Sequence, residues 1–506
     1  MITSVLIANR GEIAVRIART CREMGIRTIG IYSDADRYSV HVESVDEAYH
    51  VGPAPSTESY LRQDRILEIA KQSRAQAIHP GYGFLAENAE FARRVADAGL
   101  IWIGPPADAI AAMGSKTEAR AIMSKAGVPV VPGSYGAVDS ADAAESIAKN
   151  IGFPILIKAV AGGGGKGMRV VEAPGGVRSA YEAAQREANA AFGDPSVYIE
   201  KYLSKPRHIE IQVIADAHGN VIHLGERECS IQRRHQKIIE ESPSLAVTPD
   251  LRKRMGETAV AAARACGYVN AGTVETILGE DGHFYFLEMN TRLQVEHPVT
   301  EEVTGLDLVR LQIQIASGDR LPLTQDQVSS RGHSIEVRVY AEDVPNGFLP
   351  STGLLKRLKA VAGPGVREDS GLREGAEVSR FYDPMVGKLI ARAESREAAR
   401  MRMIRILKES EIAGVRSNLP FCLHILESEA FQRGEFHTRS ADTTFITSYL
   451  AEIEQPIEDE EALAAALAHI VHVSQKIQRD GTTPCVPESG WLKTGRDTNL
   501  SGNKNR

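Results

Sequence analysis

Hydrophobic residues in the first third of the chain come in short runs separated by amphipathic stretches. "VLIANRGEIAVRIARTCREMGIRTIGIYS" opens on an apolar run, turns at a glycine, places Ile13, Ile17 and Cys21 at helical spacing, and returns to an apolar run. Strand, helix and strand in that order predict a βαβ unit and hence an open parallel sheet. "AQAIHPGYGFLAEN" adds a strand that ends in a Pro-Gly-Tyr-Gly turn, with a helix expected over 89–98. In such sheets ligands gather beyond the carboxyl ends of the strands, which makes Asn9, Arg10, Gly11 and the turn at 79–83 rim positions.

The middle of the chain changes period. "MGSKTEARAIMSKAGVPVVPG" has the spacing of a helix closed at Ala126-Gly127 and followed by a proline-rich extended linker. β-type runs then follow one another: "FPILIKAV", "MRVVEA", "VYIEKYL", "RHIEIQVIAD" and "VIHLGERECSIQRRHQKIIEESP", with Ala-Asp-Ala-His-Gly as a hairpin turn and a helix over about 249–266. A third, β-rich region opens near Arg331 with "GHSIEVRVYAED" and ends near Thr447. Beyond it, 459–476 reads as one helix and 479–506 as a polar tail expected to be mobile.

A chain of 506 residues predicts about three domains. Its 43% apolar and 25% charged content is that of a soluble globular protein. The net charge of −7 disfavours a nucleic-acid partner, whose binder usually carries a basic face. No run approaches the roughly 18 apolar residues of a membrane span, and the first residues lack a basic n-region and cleavage site. The five cysteines, at 21, 229, 266, 422 and 485, form no C-x-x-C pair, so a reduced, cytoplasmic protein with no membrane partner is expected.

Candidate chemistry begins at "KAVAGGGGKGMRVV". A Walker loop needs Ser or Thr after Gly-Lys, but Gly167 follows Lys166. The G-x-G-x-x-G pattern at Gly162, Gly164 and Gly167 must open a helix, whereas "MRVV" at 168–171 reads as strand, which excludes a nicotinamide dehydrogenase. More informative is "AGTVETILGEDGHFYFLEMNTRLQVEHPVTE". A tight turn at Asp281-Gly282 would place Glu275 directly opposite Glu288. Like charges across a ladder are destabilising unless something compensates, and a hard divalent cation with substrate phosphates would do so. If the second strand stays extended, Glu288, Asn290, Arg292, Gln294 and Glu296 share one face. Arg292 can hold an oxyanion bidentately, and Glu296 can act as base for it.

Lys116 at a helix start, Lys158 before the glycines, "EKYL" at 200–203, "RHIEIQ" at 207–212, Glu275 and "EMNTRLQVEHPVTE" at 288–301 together resemble the ATP-grasp fold. With "ANRGEIA" at 8–14, "HPGYGFLAEN" at 79–88 and "RRHQK" at 233–237, the chain is similar to the biotin carboxylase family over about residues 2–446. The resemblance implies a mixed α/β (α+β) chain in four parts: an N-terminal open parallel-sheet pre-ATP-grasp domain at 1–113, an ATP-grasp domain at 114–330 with a glycine-rich flap subdomain at about 132–203, a C-terminal mixed β domain at 331–446, and a helical extension with tail at 447–506. It implies an ATP-dependent ligase that activates bicarbonate as carboxyphosphate and carboxylates biotin N1′.

The nucleotide sites carried over are Lys116, Lys158, Gly164, Gly165, Met168, Glu200, Lys201, Tyr202, Leu203, His208, Gln232, His235, Glu275, Leu287 and Glu288. Glu275, Glu288 and Asn290 are implied to hold Mg²⁺ or Mn²⁺, as two ions. Lys237, Arg292, Gln294, Val295 and Glu296 are implied to bind bicarbonate, with Glu296 its base, while Tyr82 and Arg338 face biotin and Arg338 steadies charge developing on the ureido oxygen. Released phosphate would then take the proton from N1′. Arg292, Glu296, Arg338 and Lys237 are thus the implied catalytic residues. The glycine stretch becomes a lid expected to close over ATP and exclude water.

The chain contains no Ala-Met-Lys-Met biotin-attachment sequence, so a separate biotin carboxyl carrier protein and a separate carboxyltransferase are expected, the latter deciding among acetyl-CoA, propionyl-CoA and pyruvate as acceptor. Family members are commonly homodimers. Another ATP-grasp carboxylate-phosphate ligase and a non-catalytic nucleotide sensor are the alternatives. Tyr82, Arg338 and "RRHQK" argue against the first, and the presence of Glu288 and Glu296 against the second.

Overall fold

The computed structural model describes residues 1–453 apart from 135, 161–167 and 235, together with 464, 467, 468 and 471. Gly164, Gly165, His235, the expected lid closure, Cys485, the tail and most of the helix expected at 459–476 lie outside the described residues, as does the side chain of Lys116. Residues 1–449 form one compact unit and 450–506 a second.

The expected βαβ start is present. Strands β1 (Ser4–Ile7), β2 (Arg27–Ser33), β3 (Glu47–Gly52), β4 (Ala77–His79) and β5 (Ile101–Trp102) form a parallel sheet in the order β3-β2-β1-β4-β5. Helix α1 (Gly11–Glu23) buries Ile13, Ile17 and Cys21 against this sheet. The strand order reverses beside β1, so the loops after β1 and β4 border one crevice. Asn9 ties them together: its amide donates to the carbonyls of Pro80 and Tyr82, both at 2.7 Å. Gly81 has φ +64°, and a Cβ there would stand 3.0 Å from the Asn9 amide nitrogen, so only glycine fits the turn that presents Tyr82.

β6 (Ile155–Ala159), β7 (Arg169–Val171) and β8 (Val197–Lys201) form a small antiparallel sheet in the order β7-β6-β8, backed by the helices Ala141–Ile151 and Val177–Phe192. β9 (Arg207–Ala215), β10 (Val221–Arg233), β11 (Gln236–Ser242), β12 (Asn270–Leu278), β13 (Phe284–Asn290) and β14 (His333–Tyr340) belong to an eight-stranded sheet completed by Met385–Ala393 and Val366–Ser370. Its order is β13-β12-β9-β10-β11-β14 and then those two strands. Because β11 pairs with β14, the sheet runs unbroken across residue 330.

Three local expectations need correction. The helix read through 113–126 is two, Ala107–Gly114 and Lys116–Lys125, because Ser115 leaves helical backbone at ψ 110° and caps the second. The β12–β13 turn is wider than two residues: Leu278 pairs with Phe284, where a tight turn would have chosen Tyr285. A bulge at Leu287 then restores the register, so Glu275 does face Glu288. Finally, the strand ends at Asn290, and Glu296 already caps the helix His297–Thr304.

Candidate active site

Four neighbouring strands carry a row of charge across the large sheet. Glu288 on β13 pairs in register with Glu275 on β12, Glu275 with Glu210 on β9, and Glu210 with Arg227 on β10. Only Glu288 is exposed; the other three are buried. Such a row is stable only if cations reach it. Arg227 donates to Glu210, to Gln212 Oε1 at 2.7 Å and to Thr300 at 3.0 Å. Lys237, from β11, places its ammonium 2.5 Å from Glu210 Oε2, 2.9 Å from Glu275 Oε1 and 2.6 Å from Glu296 Oε1. All three of its N–H bonds are therefore engaged.

Though strand geometry stops at Asn290, the segment beyond it still converges on the row. Asn290 and Gln294 donate to Glu275 Oε1 at 2.8 and 3.1 Å. Arg338 on β14 donates to Glu296 Oε2 at 2.8 Å and to Glu240 Oε1 at 2.6 Å. Arg292 gives its Nε to Glu87 at 2.9 Å, while its terminal nitrogens make only long contacts of 3.3 to 3.4 Å, to Leu293, Gln294 and Asn290. That leaves its fork loosely committed.

Electrostatics follow from the geometry. Burial would push Glu275 and Glu296 up, but Lys237, with His208 at the first and Arg338 and Arg227 at the second, holds both well below the usual carboxylate range. Burial disfavours the Lys237 ammonium, yet Glu210, Glu296 and Glu275 raise it well above the ordinary lysine value. The Cys229 thiol is pushed up by burial, which removes it as a nucleophile.

A cavity of about 520 Å³ opens beside this cluster, and Tyr82, Arg292, Val295 and Arg338 all line it. On the small sheet, Lys158 is paired with Glu200, and Lys201 donates to the carbonyls of Gly152 and Phe153 at 3.2 and 2.9 Å. His208 Nε2 lies 3.1 Å from Glu275 Oε2. Gln232 is buried and in register with Lys237, Tyr202 accepts a hydrogen bond from Arg439, and Leu203 is partly buried. Met168 and Leu287 are exposed.

The sequence reading missed Glu210, Glu87, Arg227 and Glu240. A signal existed for the first, since Glu210 follows His208 by two on one strand and so shares its face. Glu87 sits inside the quoted "HPGYGFLAEN", but its contact with Arg292 joins residues 205 apart and has no local mark.

Residues 1–110 match the family model for the biotin carboxylase N-terminal domain, 115–324 that for the carbamoyl-phosphate synthase L chain ATP-binding domain, and 336–443 that for the biotin carboxylase C-terminal domain. A biotin carboxylase of Halalkalibacterium halodurans is 51% identical over 450 residues, 89% of this chain and 98% of that protein. The mitochondrial methylcrotonoyl-CoA carboxylase subunit alpha of Mus musculus is 50% identical over 86% of this chain, which spans 61% of its length. Among solved structures, the biotin carboxylase domain dimer of Hydrogenobacter thermophilus 2-oxoglutarate carboxylase, in complex with MgADP, ADP and bicarbonate, is 46% identical with a TM-score of 0.79, covering 88% of this chain and 98% of its own.

Proposed function

The chain belongs to the biotin carboxylase family of ATP-dependent ligases, and from that premise we propose that it carboxylates biotin N1′ on a separate carrier protein. The single observation that carries the reading is the shared cavity wall: Tyr82, Arg292, Val295 and Arg338, expected to face biotin and bicarbonate, line one space beside the Glu275–Glu288 row.

Two carboxylates in register and an amide oxygen two residues on are hard oxygen donors suited to Mg²⁺ or Mn²⁺. Glu275, Glu288 and Asn290 would hold it, and it would supply charge neutralisation at the ATP phosphates. Lys158, Glu200 and His208 bound the nucleotide side, with Met168 and Leu287 offering apolar surface to a base. Arg292 turns its loosely committed fork to bicarbonate, while Gln294 and the Val295 backbone fix the anion's orientation.

Glu296 begins as a weak base because Lys237 and Arg338 donate to it and Arg227 adds its charge. A bicarbonate that draws Lys237 and Arg338 toward its own oxygens loosens that hold, so the base strengthens where its substrate sits. Glu296 takes the proton, the freed oxygen displaces ADP from the γ-phosphorus, and carboxyphosphate forms. Its breakdown delivers CO₂ to N1′, the released phosphate accepts the N1′ proton, and Arg338 steadies the ureido oxygen. We further propose a cytoplasmic homodimer acting with a separate carboxyltransferase.

The test is bicarbonate-dependent ADP release with and without free biotin. Release should rise when biotin is present, with carboxybiotin trapped in proportion. Release that ignores biotin and yields no carboxybiotin overturns the reading.

A further inference from the structure

Directly opposite Arg338 in register stands a second buried cation, Lys388, which the expected chemistry does not use. Its side chain has no exposed surface. The ammonium donates to the backbone carbonyl of Val295 at 2.8 Å and lies 3.0 Å from Glu12 Oε1. Asp369 is more distant, at 4.0 Å, and is already held by Arg367 at 2.7 Å. Glu12 Oε1 also accepts a hydrogen bond from the hydroxyl of Tyr82.

An unbroken chain of contacts therefore runs from the Tyr82 phenol through Glu12 and Lys388 to the Val295 carbonyl. Its two ends line the cavity of about 520 Å³. Tyr82 and Glu12 come from the region matched at 1–110, Val295 from 115–324 and Lys388 from 336–443, so three separate stretches of sequence meet at one ion pair. A fully buried pair gains little stability over apolar residues of the same volume, because desolvation offsets the attraction. What it does supply is directional: the Lys388 ammonium meets its two near partners, the Val295 carbonyl and Glu12, only with the Val295 loop and the α1 start both in place.

We infer that Glu12 and Lys388 are positioning residues, which hold the biotin-facing phenol and the bicarbonate-facing carbonyl at a set separation. The inference rests on the biotin carboxylase reading of the site. It concerns how carboxyl transfer is kept in step with ATP cleavage.

The experiment compares the full chain with Glu12→Gln, which keeps the shape and the acceptor for Tyr82 but removes the nearest charge on Lys388, leaving the Glu336 and Asp369 carboxylates acting on it. The quantity read is the ratio of biotin-dependent to biotin-independent ADP release at saturating bicarbonate. A drop of that ratio by about 10- to 100-fold is expected, the scale of a small misplacement of reacting groups. A merely structural role would lower both activities together and leave the ratio alone. Should Lys388→Met fail to fold with Glu12 left unpaired, the double variant Glu12→Gln/Lys388→Met removes both charges and is expected to lose no more of the ratio than Glu12→Gln, since the two act as one unit. An unchanged ratio in Glu12→Gln, or a larger loss in the double variant than in Glu12→Gln, overturns the inference while leaving the wild-type activity as evidence for the reading beneath it. A wild-type chain with no biotin dependence overturns both.

Discussion

Two buried charge clusters in residues 1–449 are built to different rules. At the rim of the parallel sheet, Asp36 takes Arg10 bidentately, at 2.6 and 2.7 Å, and adds the Tyr60 hydroxyl at 2.5 Å and Ser39 at 3.0 Å. One anion meets one cation, and burial notwithstanding, Arg10 holds Asp36 below its usual range. In the large sheet, Glu210, Glu240, Glu275 and Glu296 share Lys237, Arg227 and Arg338. Carboxylates outnumber the strong cations there among the described residues. A balanced pair has nothing to gain from a newcomer, whereas an unbalanced cluster re-pairs when a metal or an anion enters. The first braces the rim of the cavity, which Arg10 also lines, and the second is machinery.

Glu296→Ala breaks the machinery at its most shared point, because Glu296 accepts from both Lys237 and Arg338. Biotin-dependent turnover should fall by about a thousandfold, within the range of a lost general base, while nucleotide affinity persists. Equilibrium ATP binding and steady-state ADP release measure the two separately. Weakened binding with intact turnover would make Glu296 a nucleotide ligand instead.

Asp36→Asn breaks the scaffold pair. It leaves the partly buried Arg10 guanidinium without its counter-charge, and chemical denaturation should show a loss of about 2–3 kcal/mol. Turnover per folded molecule should drop less than tenfold, on the order of a positional disturbance rather than a missing group. A loss as steep as that of Glu296→Ala would erase the distinction between the two clusters.

How much of this could be read in the chain depends on the range of the contact. The βαβ start was legible because Ile13, Ile17 and Cys21 repeat at helical spacing, and the rim residues Asn9 and Tyr82 followed from topology. The Glu275–Glu288 pairing was reached from a turn type that does not occur, and the bulge at Leu287 corrected the slip. Extended geometry through Glu296 also failed, yet Asn290, Gln294 and Glu296 still converge, since the loop folds back where the strand stops. Lys388 and Glu240 carried no local signal at all: their roles come from pairing between strands distant in sequence. The family resemblance supplied residues that individual patterns could not, Lys237 and Arg338 among them.

The smallest expected effect probes the same imbalance through pH. Burial pushes Glu240 up to about 7 against the pull of Arg338, with the Glu296 carboxylate adding to the rise, and Glu240 stands directly across the ladder from Glu336, also buried and raised well above its ordinary value. The remaining charge acting on Glu240 is Lys237 on its own strand, while Lys388, on the strand beyond β14, acts on Glu336. In the folded chain Glu240 keeps its proton up to about pH 7, whereas the unfolded chain loses it near the ordinary glutamate value of 4.5. Between those limits the unfolded state binds fewer protons, so stability falls as pH rises and levels off above about 7. Glu240→Gln cannot titrate and still accepts from Arg338. The difference in unfolding free energy between pH 5 and pH 8 should therefore shrink by roughly 1–3 kcal/mol relative to the parent chain. An unchanged difference would place the retained proton on Glu336, and the excess charge of the cluster would then reside one strand further from Lys237.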